Sequence, residues 1–160
     1  MHRNTLATLV VVSALLRSAG SPAAQTPAAP LPATYMTNTE LAAALKKATE
    51  ANPDMSTARV QNTDHYRINI VRRGKGAGAM AHQPGTELHY IIEGAGTLAT
   101  GGRIVRPAAG GGPASIEGGE VKRVAKGDVV LIPENTPHWY KDVEGSITYL
   151  EVRFNVPTGR

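Results

Sequence analysis

The sequence predicts a mainly β protein, a small barrel or sandwich preceded by one helix. Three observations support this class. From residue 57 onward, short runs of alternating apolar residues are separated by glycine-containing turns, and many short strands at close spacing are typical of a small barrel or sandwich. A helical apolar period occurs once, before residue 53. The 160 residues are enough for one domain and too few for two.

The first 24 residues have the pattern of a secretory signal peptide. Met1–Thr5 carries positive charge, Leu6–Leu16 is largely apolar, and residues 18–24 are mostly small. An apolar run of about eleven residues cannot span a bilayer core, which needs roughly twenty. We therefore expect a signal peptide over residues 1–24, a periplasmic or secreted mature protein, and no membrane association after cleavage.

A linker and a short helix are expected next. Residues 25–36 are rich in proline and alanine without an apolar period, which predicts a flexible linker. The segment 37–56 opens with Thr37-Asn-Thr-Glu40, a capping box in which each side chain satisfies a free amide at the helix start. A helix is expected over 41–50, and Asn52-Pro53 should end it.

The remaining residues, 57–160, are expected to form the β domain. The clearest alternation is in Tyr66–Arg72, where Tyr66, Ile68 and Ile70 share one face. The strands predicted in this way are 58–61, 66–72, 87–98, 121–124, 129–132 and 147–154, and the glycine-containing turns are 94–96, 101–102, 118–119, 126–128 and 144–145.

Charge and cysteine content exclude some partners. The formal charge of +4 falls to +2 when Arg3 and Arg17 leave with the signal peptide. So small an excess, with no basic cluster beyond Arg72-Arg73, argues against nucleic acid as a partner. Cysteine is absent, so the fold has neither disulfides nor thiolate ligands. Its stability must come from a packed core, to which a bound metal would add.

Two stretches about forty residues apart look like the two halves of one metal site. The first contains His82 and Glu87, and the second contains His138. Both stretches alternate in the manner of strands. Two imidazoles and one carboxylate are a common ligand set for divalent first-row metals.

The first stretch resembles the first motif of the cupin superfamily. That motif is a glycine, five residues, His-x-His, three or four residues, a glutamate, six residues and a glycine. Here Gly74, Met80-Ala-His82, Glu87 and Gly94 keep every spacing. Methionine stands at the position of the first histidine.

The second stretch resembles the second cupin motif, in which a glycine is followed by Pro-x-Gly, a histidine and an asparagine. Gly127, Pro133 and His138 keep the register, with Asn135 in place of glycine and Asp142 in place of asparagine. The resemblance covers about residues 66–154 and is closest to small, single-domain exported bacterial cupins.

The resemblance implies a small antiparallel jelly-roll barrel that holds a divalent metal: iron, manganese, zinc, nickel or copper. Carried over position by position, it assigns His82, Glu87 and His138 as the metal ligands. Met80 has two interpretations. A thioether is a soft ligand suited to copper, but methionine is also a common core residue that fills space without binding anything.

His89 and Tyr140 are candidate catalytic residues. His89 follows Glu87 by two positions, so the two side chains share a face in a strand. It could be a fourth ligand, a partner that orients Glu87, a general base, or a hydrogen-bonded core histidine. Tyr140 shares the parity of His138 and is expected in the pocket wall.

Two classes of function remain open. The first is a metal-dependent enzyme acting on a small organic molecule, either a dioxygenase-type oxidoreductase or a lyase or isomerase, since the fold alone does not choose among these reactions. The second is a non-catalytic cupin that binds a small molecule or a metal. A storage or structural role fits least, because it would not need a ligand cluster. The expected partners are a small-molecule substrate and, as candidate assembly, a second copy in a homodimer.

Overall fold

The structure, a computed structural model, describes residues 32–108 and 111–156. The expected signal peptide and residues 25–31 of the expected linker lie outside these ranges. Within them, no helix is both long and apolar enough to cross a membrane.

One helix precedes the β domain within the described ranges, α1 at Asn38–Ala51. Its start is the predicted capping box: the Thr37 hydroxyl accepts the amide of Glu40 at 3.1 Å, and the Glu40 carboxylate accepts the amide of Thr37 at 2.7 Å. Two amides that would otherwise lack a partner are thereby satisfied. The helix ends before Asn52, as predicted.

In the part of the chain that the structure describes, eight strands follow the helix, and each of the six predicted strands is among them. The short β4 and β5 were not predicted, and β8 begins nine residues earlier than expected. The strands are β1 (Met55–Asn62), β2 (Tyr66–Arg73), β3 (Thr86–Thr100), β4 (Arg103–Val105), β5 (Ser115–Glu117), β6 (Glu120–Ala125), β7 (Val129–Ile132) and β8 (His138–Phe154).

The main sheet is antiparallel, with the strand order β1-β2-β8-β3-β6 and with β7 paired to β3. A separate hairpin joins β4 to β5. The predicted fold class, mainly antiparallel β with one helix, is confirmed. The strand pairing does not close into a barrel, because β1 and β6 are not paired to each other within the described residues.

Two predicted turns were wrong. Residues 94–96 lie inside β3 and residues 144–145 inside β8, which are the two long central strands. Gly94 has φ of 76°, and a Cβ there would collide with the carbonyl oxygen of Ser146 on β8. This glycine therefore permits close strand contact at a bulge, where the pairing register shifts between Gly94 and Gly96.

The two faces of β2 have different roles. Ile70 lies on the face toward α1 and shares a groove with Leu41 and Leu45. The opposite face carries Asn69 and Arg73, which line an internal cavity. The apolar face identified from the sequence thus packs beside the helix, and polar residues point into the fold.

Candidate metal centre and its cavity

The three predicted metal ligands lie together at one end of the main sheet. His82 precedes β3, Glu87 is its second residue, and His138 is the first residue of β8. His82 Nε2 is 3.2 Å from Glu87 Oε1, and His138 Nε2 is 3.7 Å from Glu87 Oε2. One donor atom from each side chain lies within 4.8 Å of the others. Such a cluster could hold a metal ion.

Backbone hydrogen bonds tie the two motif segments together. The amide of Met80 donates to the carbonyl of His138 at 3.0 Å, and the reverse bond measures 2.8 Å. The amide of Asn135 donates to the carbonyl of His82, also at 3.0 Å. These bonds fix His82 beside His138 although the two residues are far apart in sequence.

Asn135 explains how the second motif tolerates the loss of its glycine. Its φ is 63°, in the left-handed region that glycine adopts most easily. Asparagine is one of the few other residues that enter this region at modest cost. The turn before His138 therefore keeps the backbone conformation that the glycine of the motif would have supplied.

The carboxylate of Glu87 is ionised at neutral pH. Burial alone would raise its pKa, but the hydrogen bond from His89, the charges that His138 and His82 acquire at low pH, and the charge of Arg153 together lower the pKa to about 2. The side chain is only 2% exposed. A buried carboxylate that keeps its charge is suited to bind a cation.

The two histidines of the cluster are neutral at pH 7. Burial lowers the pKa of His82, and the charge of Arg153 lowers it further. Burial also lowers the pKa of His138. His138 Nδ1 lies 3.1 Å from the carbonyl of Thr136, which assigns the proton to Nδ1 and leaves the lone pair of Nε2 facing Glu87. A backbone carbonyl on the second ring nitrogen is the usual arrangement of a metal-binding histidine.

Glu87 Oε1 provides a test of whether the cluster fits a metal. This atom is buried and makes no hydrogen bond within the described residues. Its close contacts are ionic: Arg153 Nη2 lies 2.6 Å away and His82 Nε2 lies 3.2 Å away. The donor set therefore fits a divalent ion, while Arg153 occupies part of the space around the carboxylate.

His89 and Tyr140 form a buried chain behind Glu87. His89 Nε2 lies 3.1 Å from Glu87 Oε2, and His89 Nδ1 lies 3.2 Å from the Tyr140 hydroxyl. Because the ionised Glu87 can only accept, the assigned pattern has Nε2–H donating to Glu87 and Tyr140 donating to Nδ1. Burial raises the pKa of Tyr140, so its hydroxyl keeps its proton. Tyr140 was expected in the pocket wall, but it lies behind His89 and does not line the cavity.

The donor cluster opens into a cavity of about 400 Å³. This volume is within the range of small-molecule sites. Strands β1, β2 and β8 supply much of its wall, and several of the wall residues are charged. The lining residues are Met55, Thr57, Arg59, Arg67, Asn69, Val71, Arg73, Met80, His82, Glu87, His89, His138, Tyr149, Glu151 and Arg153.

Ten of these lining residues were not predicted as site residues, and the charged Arg73, Glu151 and Arg153 are among them. Glu151 also forms a second group of potential ligands with Glu87 and His89, whose donor atoms lie within 4.8 Å of one another. The register pairs Glu151 with His89 on one side and Asn69 on the other. The alternation Tyr149-x-Glu151-x-Arg153 within a predicted strand was the signal that could have identified two of them.

Comparison with solved structures found chains of similar fold at low sequence identity. KdgF from Halomonas sp. is 16% identical over 67% of this chain and 84% of its own, with a TM-score of 0.50. The cupin domain of Cnp3 from Schizosaccharomyces pombe is 9% identical over 64% of this chain and 61% of its own, with a TM-score of 0.49. A predicted oxalate decarboxylase from Thermotoga maritima is 15% identical over 64% and 81%, with a TM-score of 0.48.

No protein-family model and no curated protein matches the sequence. The likeness to KdgF, at a TM-score of 0.50, nevertheless supports the fold predicted from the two motifs. At these identities the likeness shows the fold alone.

Proposed function

We propose that this chain is an exported cupin enzyme that acts on a small organic molecule at a divalent metal held by His82, Glu87 and His138. The observation that carries the proposal is the position of the donor cluster. Its three donor atoms lie within 4.8 Å of one another, and all three side chains line the same cavity. A ligand in that cavity would reach the positions around the metal that the protein leaves open.

A divalent ion bound there supplies a Lewis acid for a substrate oxygen atom, or a site for oxygen chemistry if the ion is iron. The protein's own contribution begins with Glu87. His89 donates to its Oε2 and is itself held by Tyr140, so the carboxylate is fixed in one orientation. Both ring nitrogens of His89 are used in this chain. Its contacts therefore favour a positioning role over that of a general base.

Glu151 is the side chain in the cavity best placed to take a proton from a substrate. Asn69 donates to its Oε1 at 2.9 Å, which orients the carboxylate within the cavity wall. A carboxylate in the wall of the same cavity could accept a proton from a substrate, as a lyase or isomerase reaction would require. Dioxygenase chemistry would instead need only the metal and its open positions.

Metal content tests the first part of this proposal. The wild-type chain, loaded separately with iron(II), manganese, zinc, nickel and copper, should retain about one ion per chain after desalting, as measured by elemental analysis. His82→Ala and His138→Ala should each lose most of it, because removing one of three ligands removes a bond and the geometry. His65→Ala is the matched control, since His65 is exposed in the turn between β1 and β2. Full occupancy in either ligand variant would contradict the assignment.

The alternative is a non-catalytic cupin that binds a metal or a small molecule. Methionine at the position of the first motif histidine favours it, because this leaves three donors where the motif has four. Measurement of substrate turnover distinguishes an enzyme from a non-catalytic cupin. Small organic acids should be converted by the metal-loaded wild type, with oxygen consumed if the reaction is a dioxygenation and without it if it is a lyase or isomerase reaction. Glu151→Gln should abolish only the second kind of turnover.

Export is a further part of the proposal, supported by the charged, apolar and small-residue regions of residues 1–24. Expression of the full chain in a Gram-negative host should give a mature protein in the periplasmic fraction. Its first residue, read by terminal sequencing, should lie near Gln25. A protein that stays in the cytoplasm with Met1 retained would contradict this.

A further inference from the structure

We infer that the substrate is a small organic carboxylate whose anionic group pairs with Arg73 at the inner end of the cavity. This inference names a substrate class for the proposed function and rests on it. Arg73 lies on β2 and is only 5% exposed. A guanidinium remains charged at all physiological pH values, so its burial normally requires a charged partner.

Arg73 has no carboxylate partner among the described residues. Arg103 and Arg123 pair with glutamates at the surface, and Arg153 pairs with Glu87. The hydrogen bonds of Arg73 are instead to neutral groups. Its Nε donates to the Tyr149 hydroxyl at 3.0 Å, and its Nη1 lies 3.5 Å from the sulfur of Met55, a weak acceptor.

The guanidinium of Arg73 also lies over the ring of Tyr140, with Cζ 5.3 Å from the ring centroid. A cation–π contact of this kind holds the group in place but does not neutralise it. Nη2 makes no hydrogen bond within the described residues. A charged guanidinium that has no carboxylate partner among the described residues is suited to bind an anion from the cavity that it lines.

The position of Arg73 relative to the donor cluster defines what kind of anion fits. Its partner Tyr149 has its ring 4.5 Å from the ring of His89, and His89 contacts Glu87. The side chain of Tyr149 thus lies between Arg73 and His89. Arg73 and Glu87 line the same cavity. A small molecule could pair one end with Arg73 and place its other end beside the donor cluster.

The charge of the whole cavity favours an anion as well. Its lining contains four arginines and two carboxylates. One of these arginines is paired with Glu87, and a divalent ion would add further positive charge. Arg59 and Arg67 are exposed and line the same cavity, where they would attract an anion toward it. A carboxylate matches the two-nitrogen fork of one guanidinium, whereas a phosphate would carry more charge and more acceptors than Arg73 alone satisfies.

The test measures binding to the full chain without relying on turnover. Malonate and succinate are titrated by calorimetry into metal-loaded protein and into chelator-treated protein, with malonamide and succinamide as uncharged analogues and inorganic phosphate as the competing anion. We expect a dicarboxylate to bind both forms, more tightly with metal present, and the amides to bind neither. Equal binding of the amides, no binding of either dicarboxylate, or binding of phosphate alone would overturn the inference.

Variants of neighbouring residues locate the binding. Arg73→Met should weaken dicarboxylate binding by at least about tenfold, because a charge-assisted hydrogen bond is lost. Arg72→Met is the matched control: it removes the same charge from the preceding residue of β2, whose side chain lines the groove beside α1 on the other face. Unchanged binding in Arg73→Met, or equal loss in Arg72→Met, would overturn the inference.

A second substitution and a metal-free sample keep the outcome of this test unambiguous. If Arg73→Met does not fold, as judged by circular dichroism, Arg73→Lys replaces it, since lysine keeps the charge but cannot bind a carboxylate with a fork. A clear loss of affinity is still expected, and wild-type affinity would contradict the inference. Carboxylate binding to the chelator-treated protein depends on Arg73 alone and tests this inference. Retention of an ion by the metal-loaded protein tests the proposed function, so the two proposals can fail independently.

Discussion

Arg153 Nη2 lies 2.6 Å from Glu87 Oε1, so the carboxylate of the predicted metal site has a cationic partner within the chain itself. The contact joins β8 to β3, whose register pairs these two residues directly. The guanidinium partly neutralises the charge that would attract a metal. It also occupies space beside Oε1, which makes no hydrogen bond to the residues that the structure describes. Arg153 and a divalent ion should therefore compete for Glu87.

Replacing Arg153 should strengthen metal binding. Arg153→Met removes a positive charge next to the donor cluster, so the affinity for manganese or zinc should rise by at least about tenfold. The metal-free protein should become less stable, because Glu87 loses its partner. Calorimetric titration and melting temperature measure the two effects. Arg103→Met, which removes an exposed ion pair in the β4–β5 hairpin, is the control. Weaker metal binding in Arg153→Met would show that Arg153 supports the site.

Met80 offers a direct test of the missing ligand. Its side chain lines the cavity together with His82, Glu87 and His138. Met80→His would restore the first histidine of the cupin motif, and a fourth donor there should raise metal affinity by at least about tenfold. Met80→Leu should leave metal content nearly unchanged, since it keeps the volume and a packing role needs no sulfur. A large loss in Met80→Leu would instead identify the thioether as a ligand and favour copper.

His89 should influence the metal through Glu87. His89→Gln keeps polarity and approximate size but breaks the chain from Tyr140 to the carboxylate. A loss of about ten- to a hundredfold in metal affinity is expected. Tyr140→Phe should cause a smaller loss in the same direction, because it removes only the outer hydrogen bond. A lower melting temperature with unchanged affinity would mean that His89 is a core histidine without a role at the site.

The helix and the donor cluster could be predicted because each depends on local or fixed spacing. The capping box of Thr37 and Glu40 is complete within four residues. His82, Glu87 and His138 follow two motifs whose spacing the fold preserves. The replacement of the motif glycine by Asn135 keeps the spacing intact, because asparagine supplies the left-handed φ that the motif needs.

The rest of the cavity could not be predicted because bulges change which side chains face inward. Tyr140 and Tyr149 are both buried on β8 although their positions differ in parity. The pairing of β3 with β8 shifts register in several places between them. If strict alternation is assumed along a strand, the residues beyond each register shift are assigned to the wrong face. Arg73 was missed for a different reason. The apolar pattern of β2 identifies the face beside α1, and Arg73 lies on the opposite face, about which the pattern predicts nothing.

The metal-free protein should lose stability as the pH falls. His82 and His138 have pKa values lowered below 6.5 in the fold, mainly by burial, so the unfolded chain takes up more protons below that pH. Their contribution is complete above about pH 6.5 and is lost as the pH falls through their folded values. Glu87 acts in the same direction at lower pH, from its ordinary value of 4.5 down to about 2.

Chelator-treated protein should therefore show a melting temperature that falls as the pH drops below about 6.5. His138→Gln should flatten this slope, because glutamine does not titrate, whereas the exposed His65→Ala should leave it unchanged. Below about pH 4.5 a second loss is expected from Glu87, worth about 3 kcal/mol in total at one pKa unit per 1.36 kcal/mol. Glu87→Gln should remove this second step. A slope that is the same in wild type and His138→Gln would mean that His138 is not a buried neutral imidazole in the metal-free fold.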